Sequence, residues 1–231
     1  MEKKKYEVCL EVLRRFSEAG ILDNIILIGS WCLYFYKEYF TGVYFPPSIR
    51  TRDMDFLVPL PPHMKKKVDV ADLLKDLGFI PEFVSSQGYI RLGHPELIVE
   101  FLVPERGRGS DKPFPLPQIG LNAQPLRFLD FLAKNVIEIN VGRLRVRLPH
   151  PVAFALHKLI ITGRRTKREK AEKDRDQALS LLHFVIKHDR PDKIRSVYGS
   201  MPKKWRDQIR KRLAESDEKE IISVLSGTAR K

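Results

Sequence analysis

TRDMDFLVP, residues 51–59, sets two aspartates two positions apart in a short apolar run that Pro59 stops. Side chains of a strand alternate between faces, so Asp53 and Asp55 point the same way, ~6–7 Å apart at ~3.3 Å rise per residue. Two carboxylates at that spacing can jointly grip metal ions of the kind used in two-metal phosphoryl chemistry. A plain pair of loop-end aspartates looks the same in isolation, so the flanking sequence decides.

Upstream, NIILIG (24–29) is an apolar run ending in glycine and suits a buried strand. Gly29-Ser30 then leads into a segment over 31–40 with a helical pattern. Glycine lets a backbone approach a ligand closely, and a helix start offers unsatisfied N–H groups to phosphate. Trp31, Tyr34, Phe35 and Tyr36 read either as core packing or as a base-stacking platform. Downstream, ELIVEFLV (96–103) places Glu100 inside an otherwise unbroken apolar run. Such strands are buried on both faces. A carboxylate there calls for a charged partner, a metal ion or an exposed edge.

An apolar strand ending in Gly-Ser, an Asp-x-Asp strand and a later strand with one acid, here LIGS, DMDF and VEF, form a set. Over roughly residues 24–103 it resembles the nucleotidyltransferase-fold superfamily. Nearest in pattern are bacterial abortive-infection-type nucleotidyltransferases, some of them toxin halves of toxin–antitoxin pairs. The interval from Ser30 to Asp53 is long, as in that group, and Arg50 or Arg52 stands where it often has an arginine. Trp31 departs from the small residue usual after the Gly-Ser, which implies a narrower pocket or a stacking contact.

The resemblance implies Mg²⁺-dependent transfer of a nucleoside monophosphate from an NTP, ATP among them, to an acceptor hydroxyl. The acceptor would be an RNA 3′ end, a protein or a small molecule. Asp53, Asp55 and Glu100 would be the catalytic acids and the ligands of a two-Mg²⁺ site. Gly29, Ser30 and Arg52 would bind the nucleotide, with Ser30 hydrogen-bonded to a terminal phosphate.

The fold class expected is α/β (α+β), a mixed sheet flanked by helices and followed by a helical domain. VDVADLLKDLG (68–78) reads as an amphipathic helix ended by Gly78. FIPEFV and GYIRLG read as strands, PERGRGSDKPFPLP (104–117) as a loop, residues 126–132 as a short helix, and VIEINVGRLRVRL as a hairpin turning at Gly142. The stretch ERGRGSDKP either clamps phosphate or is mobile. After Pro149 every segment is helical in pattern: 151–162, 166–188, 191–198, 202–214 and 217–225. We therefore expect a catalytic domain over 1–148 and a helical domain over 149–231.

In the helical half, Lys158 sits in a helix that is apolar nearly all round. Its ammonium either meets a partner, a triphosphate or an acid, or snorkels to solvent on its apolar stem. Asp174, Ala178, Leu181 and Val185 follow the spacing of one helix face. Lys158 and EKDRD are similar to two helices of abortive-infection-type proteins, which implies nucleotide binding by Lys158 and by Asp174, with Asp176 as the other match. Residues 164–175 hold seven Lys or Arg against three acids. That strip either guides a polyanion such as RNA or is a solvated helix with local charge pairs.

Composition narrows the classes. The chain has 231 residues, 43% hydrophobic, and a net charge of +13. A bias of that size favours a polyanionic partner or a merely Lys-rich surface. No stretch approaches the ~20 apolar residues of a membrane span, and the N-terminus lacks a signal peptide's apolar core. No membrane partner is expected, and the expected address is the cytoplasm. Cys9 and Cys32 are too few for a disulfide scaffold, and no Cys/His cluster has zinc spacing. The competing function is a non-catalytic nucleic-acid-binding or regulatory protein that retains this fold.

Overall fold

A computed structural model describes residues 2–45, 51–84, 87–105, 107, 109, 112–189 and 191–227. They form two compact units, Met1–Pro149 and His150–Lys231.

The first unit opens with helix α1 (Glu2–Glu18), whose Cys9, Val12, Leu13 and Phe16 are fully buried along one stripe. Strand β1 (Ile26–Ile28) follows, then the five-residue helix α2 (Trp31–Phe35), which tightens into a 3-10 turn over Tyr36–Glu38. The helix expected over 31–40 is thus split. Next come β2 (Asp53–Leu57), α3 (Val70–Lys75), β3 (Ile80–Phe83), β4 (Ile90–Gly93) and β5 (Ile98–Pro104). The Asp69 carboxylate caps α3 by accepting from the Asp72 N–H at 3.0 Å, and Gly78 ends that segment at φ +91°.

The sheet is mixed, in the order β1-β2-β5-β4-β3. β1 runs antiparallel to β2, β2 parallel to β5, and β4 antiparallel to β5. The parallel β2–β5 pair is made possible by the long excursion through α3, β3 and β4. On its other side β5 pairs first with β4 and then, over Leu102–Pro104, with β7 (Leu121–Leu126). β7 is reached through the hairpin strand β6 (Phe114–Leu116). β6 lies in the stretch expected to be loop, and β7 follows it. FPL and LNAQPL each contain proline and no β-branched residue, so neither carries a strand signal.

One face of the sheet is the core. Met54, Phe56, Val99, Phe101 and Val103 are buried there beneath α1. The Phe16 ring lies 5.2 Å from Phe56 and 6.1 Å from Phe101. Arg15 ties α1 to α3 by donating to the Leu73 carbonyl at 2.7 Å and pairing with Asp76. The short helix α4 (Leu129–Lys134) and the hairpin β8 (Val136–Val141)–β9 (Leu144–Pro149), turning at Gly142, complete the unit. Tyr36, fully buried, donates its hydroxyl to the Pro149 carbonyl at 2.9 Å.

The second unit is all helical: α5 (Pro151–Thr162), α6 (Arg168–His188), α7 (Pro191–Gly199), α8 (Lys203–Glu215) and α9 (Lys219–Ser226). Pro151 occupies the first turn of α5, and the His150 ring accepts from the Val152 N–H at 3.2 Å. Ala178, Leu181, Leu182 and Val185 of α6 are buried together with Ile194, Ile209, Leu213 and Ile221. Among the described residues no helix is long and apolar enough to cross a membrane.

Candidate active site

The register of β2 against β5 sets Asp55 directly opposite Glu100, and Asp53 opposite Ile98. Paired residues share a face, so Asp53, Asp55 and Glu100 all lie on the face opposite the Phe56–Phe101 core. Asp53 is exposed, while Asp55 and Glu100 are half-buried. Glu100 therefore does not enter the apolar core, although its neighbours Val99 and Phe101 do.

From the other side, β1 pairs Ile28 with Asp55, which delivers the turn after β1 to the same carboxylate. Gly29 has φ +74°, and a Cβ added to it would lie 2.2 Å from Asp55 Oδ2. Only glycine supplies both that backbone angle and that space. Ser30 begins α2 without a side-chain capping bond, so its hydroxyl is not committed to the helix start. Trp31, Phe35 and Tyr36 are buried, which makes them core packing, and Tyr34 packs at 5.0 Å from Tyr6.

A nucleotidyltransferase family model matches residues 7–202. The chain belongs to the nucleotidyltransferase family. No curated protein matches it significantly. Among solved structures it is similar to an antigenic nucleotidyltransferase-like protein from Paracoccidioides brasiliensis, at 16% identity over 96% of this chain and 93% of that one, with a TM-score of 0.49. The antibiotic-resistance factor ANT(2'')-Ia gives 11% identity over 95% and 98% of the two chains, with a TM-score of 0.48.

Within this nucleotidyltransferase the acids are aligned but not drawn into a cage. Among the described residues no group of three or more His, Cys, Asp and Glu side chains is gathered to hold a metal ion. Asp53 lies one alternation along the strand from Asp55, its backbone N–H donating to Thr51 Oγ1 at 3.2 Å. The donor set still fits Mg²⁺. That ion takes hard oxygen ligands, and in phosphoryl-transfer sites it is held by one or two carboxylates with substrate phosphates and water completing the shell. Adjacent carboxylates at Asp55 and Glu100 supply that number.

Arg52 donates from Nη2 to the His94 carbonyl at 2.7 Å, which anchors the approach to β2. Arg50 lies outside the described residues, as do residues 106, 108, 110 and 111 of the loop after β5. Lys158 and Asp174 belong to the second unit, where the fold brings them together. Lys158 Nζ lies 2.5 Å from Asp174 Oδ1, both side chains are buried, and Arg165 Nε meets the other carboxylate oxygen at 2.8 Å. Burial pushes the Asp174 carboxyl up, but the Lys158 charge and the bonds from Lys158 and Arg165 outweigh it and hold it below its usual range. Asp176, by contrast, is exposed beside Arg175.

Three side chains near the acids escaped sequence reasoning. A cleft of about 200 Å³ borders Glu100 and is lined also by Tyr89, Arg91 and Gln124. Continuing the β4–β5 ladder places Arg91 on the same face as Glu100, and its Nε pairs with Glu82 Oε2 at 2.7 Å. The alternation in GYIRLG could have flagged Arg91. Gln124 carried no signal because its strand did not.

Proposed function

We propose that the chain transfers a nucleoside monophosphate from an NTP to an acceptor hydroxyl, whose oxygen attacks the α-phosphorus as the bond to pyrophosphate breaks, with Asp53, Asp55 and Glu100 holding Mg²⁺. What supports this reading beyond family membership is one relationship: Asp55 stands between Glu100 across the parallel ladder and Gly29 at the β1 turn. When bound, Mg²⁺ would neutralise triphosphate charge and polarise the phosphoryl group toward attack at phosphorus. Gly29 leaves room for the Asp55 carboxylate against the β1 turn and so sets that acid beside Ser30. Ser30 donates its hydroxyl to a terminal phosphate, and Arg52, held by the His94 carbonyl, lends positive charge at the entrance to β2. Glu100 borders the cleft with Tyr89, Arg91 and Gln124, so it accepts the proton of an acceptor hydroxyl lodged there. Positioning and charge neutralisation carry such a reaction, with little covalent work for the protein. The long interval from Ser30 to Asp53 supports the reading of an abortive-infection-type nucleotidyltransferase, a group that includes toxins.

Calorimetry of NTP binding tests this, with and without Mg²⁺, on the native chain and on Asp53→Asn/Asp55→Asn. Mg²⁺-dependent binding that disappears in the double variant is the expected result. Equal binding by both proteins, or none by either, would sink the assignment of these acids.

A further inference from the structure

The positive charge of the chain is unevenly divided. Residues 150–231 hold 21 Lys and Arg against 11 Asp and Glu, a net charge of +10, whereas residues 1–149 hold 21 against 18, a net of +3. Acids in the helical unit are engaged locally, Glu172 by Arg168, Asp207 by Lys203 and Glu215 by Lys211 and Arg212. With cations outnumbering acids nearly two to one, pairing leaves a large excess.

That excess is densest where α5 turns into α6. Arg164, Arg165, Lys167, Arg168, Lys170 and Lys173 are all exposed within this turn and the start of α6. Arg165 and Arg168 are paired with Asp174 and Glu172, and residues 164–175 still keep seven cations against three acids. The fold then adds another cation from far along the chain. A Cβ on Gly163 would lie 2.4 Å from Arg212 Nη2, so the guanidinium of α8 rests against the backbone of the same turn. Gathering like charges is unfavourable in the free protein. A bound polyanion offsets it.

The chemistry of the surrounding surface selects the polyanion. Among the described residues, the large apolar side chains left exposed are Tyr44, Ile80, Phe83, Val84 and Leu126, all in the first unit. A protein partner needs an apolar or aromatic centre, and a helix lying on lipid needs an apolar face. A phosphodiester backbone needs neither, because counterion release by Lys and Arg drives its binding. The guanidinium fork of each arginine matches a phosphate.

We propose that the α5–α6 turn, the start of α6 and Arg212 form a docking surface for the phosphate backbone of RNA. Docking follows from charge alone. The choice of RNA over DNA rests on the proposed transfer to an acceptor hydroxyl: DNA offers one only at its 3′ end, whereas RNA offers a 2′-hydroxyl on every ribose as well.

Fluorescence anisotropy of the full chain, without NTP, tests this against a short single-stranded RNA, the DNA of the same sequence and polyglutamate, over a series of salt concentrations. The native chain should bind RNA in preference to both other polymers. Arg164→Ala/Lys167→Ala/Lys170→Ala should weaken RNA binding about tenfold or more. It should also make the slope of log K against log salt shallower by about 2, because each phosphate no longer neutralised removes ~0.7 from that slope. Arg164→Lys/Lys167→Arg/Lys170→Arg, which keeps the charge, should bind as the native chain does. Unchanged RNA affinity in the alanine variant, or DNA or polyglutamate bound as tightly as RNA, overturns the proposal. Because NTP is absent and Asp53 and Asp55 are intact, failure here is separate from failure of the nucleotide site.

Discussion

The Asp55 carboxylate lies against the backbone of Gly29, where a Cβ would come within 2.2 Å of Oδ2. Gly29→Ala therefore meets two obstacles, a left-handed backbone that costs an L-residue roughly 1–2 kcal/mol and a displaced carboxylate. Gly42, at φ +81° with nothing within 4 Å, meets only the first. Urea unfolding should show a loss of about 1–2 kcal/mol for Gly42→Ala and at least that for Gly29→Ala, which carries the clash as well. NTP titration should separate them, with Mg²⁺-dependent binding lost in Gly29→Ala alone. Equal NTP affinity in both variants would mean that the close approach of Gly29 to Asp55 has no functional consequence.

Glu100→Gln keeps the size of the side chain and removes its charge beside Asp55. Loss of one carboxylate from the proposed Mg²⁺ site should raise the Mg²⁺ concentration needed for half-maximal NTP binding at least tenfold, or about 1.4 kcal/mol. Glu82→Gln is the matched control, since Glu82 lies on the same face two strands away and pairs with Arg91. Its Mg²⁺ midpoint should stay where the native one is. If the two variants shift alike, general electrostatics and not direct ligation governs the metal dependence.

The local parts of this site are legible in the sequence, and the long-range parts are not. Gly29, the Asp53–Asp55 alternation and the apolar run around Glu100 each follow from strand periodicity and backbone freedom. The pairing of Asp55 with Glu100 does not, because β5 reaches β2 only after the chain has passed through α3, β3 and β4. Nothing in the run ELIVEFLV states which strand lies beside it. β6 and β7 were invisible for a different reason. Their backbones are ordered by pairing with each other and with β5, while their residues lack strand propensity. Lys158 and Asp174 stand sixteen positions apart on successive helices; Lys158 alone is compatible with solvent, and the spacing that puts Asp174 on the packed face of α6 does not name its partner. Their meeting is a product of α5–α6 packing.

Asp174 is the acid on which two cations converge, so deleting it and deleting Lys158 are unequal events. Asp174→Ala strands the buried ammonium of Lys158, whereas Lys158→Met leaves Arg165 to neutralise the carboxylate. Breaking a buried pair by removing the partner of a stranded charge costs about 3–5 kcal/mol, which is the loss expected for Asp174→Ala in urea unfolding. Lys158→Met should lose clearly less, and Lys158→Met/Asp174→Leu should recover much of the Asp174→Ala deficit. A larger loss for Lys158→Met than for Asp174→Ala would show that packing of the lysine stem against Phe154, whose ring centroid is 5.0 Å from Nζ, outweighs the charge balance.

His157, next to that pair, ties stability to pH. Burial, reinforced by the Lys158 charge, pushes its pKa down to about 3, and its Nε2 finds no hydrogen-bond partner among the described residues. The folded chain thus keeps the ring neutral while the unfolded chain protonates it near the ordinary value of about 6.5. Between those values the unfolded state binds one more proton, so stability rises with pH there. The contribution is fully present above about pH 6.5 and drains away as pH falls toward 3, at about 1.4 kcal/mol per pH unit. His94 and His150, also lowered by burial, add to the same slope, whereas Asp174 acts only below the ordinary carboxylate range. Urea midpoints measured from neutral pH down to about pH 5.5, about one unit above the ordinary carboxylate values, should therefore fall less steeply for His157→Leu than for the native chain. The difference should correspond to one proton. Parallel slopes would place His157 in contact with water and remove it from the buried core.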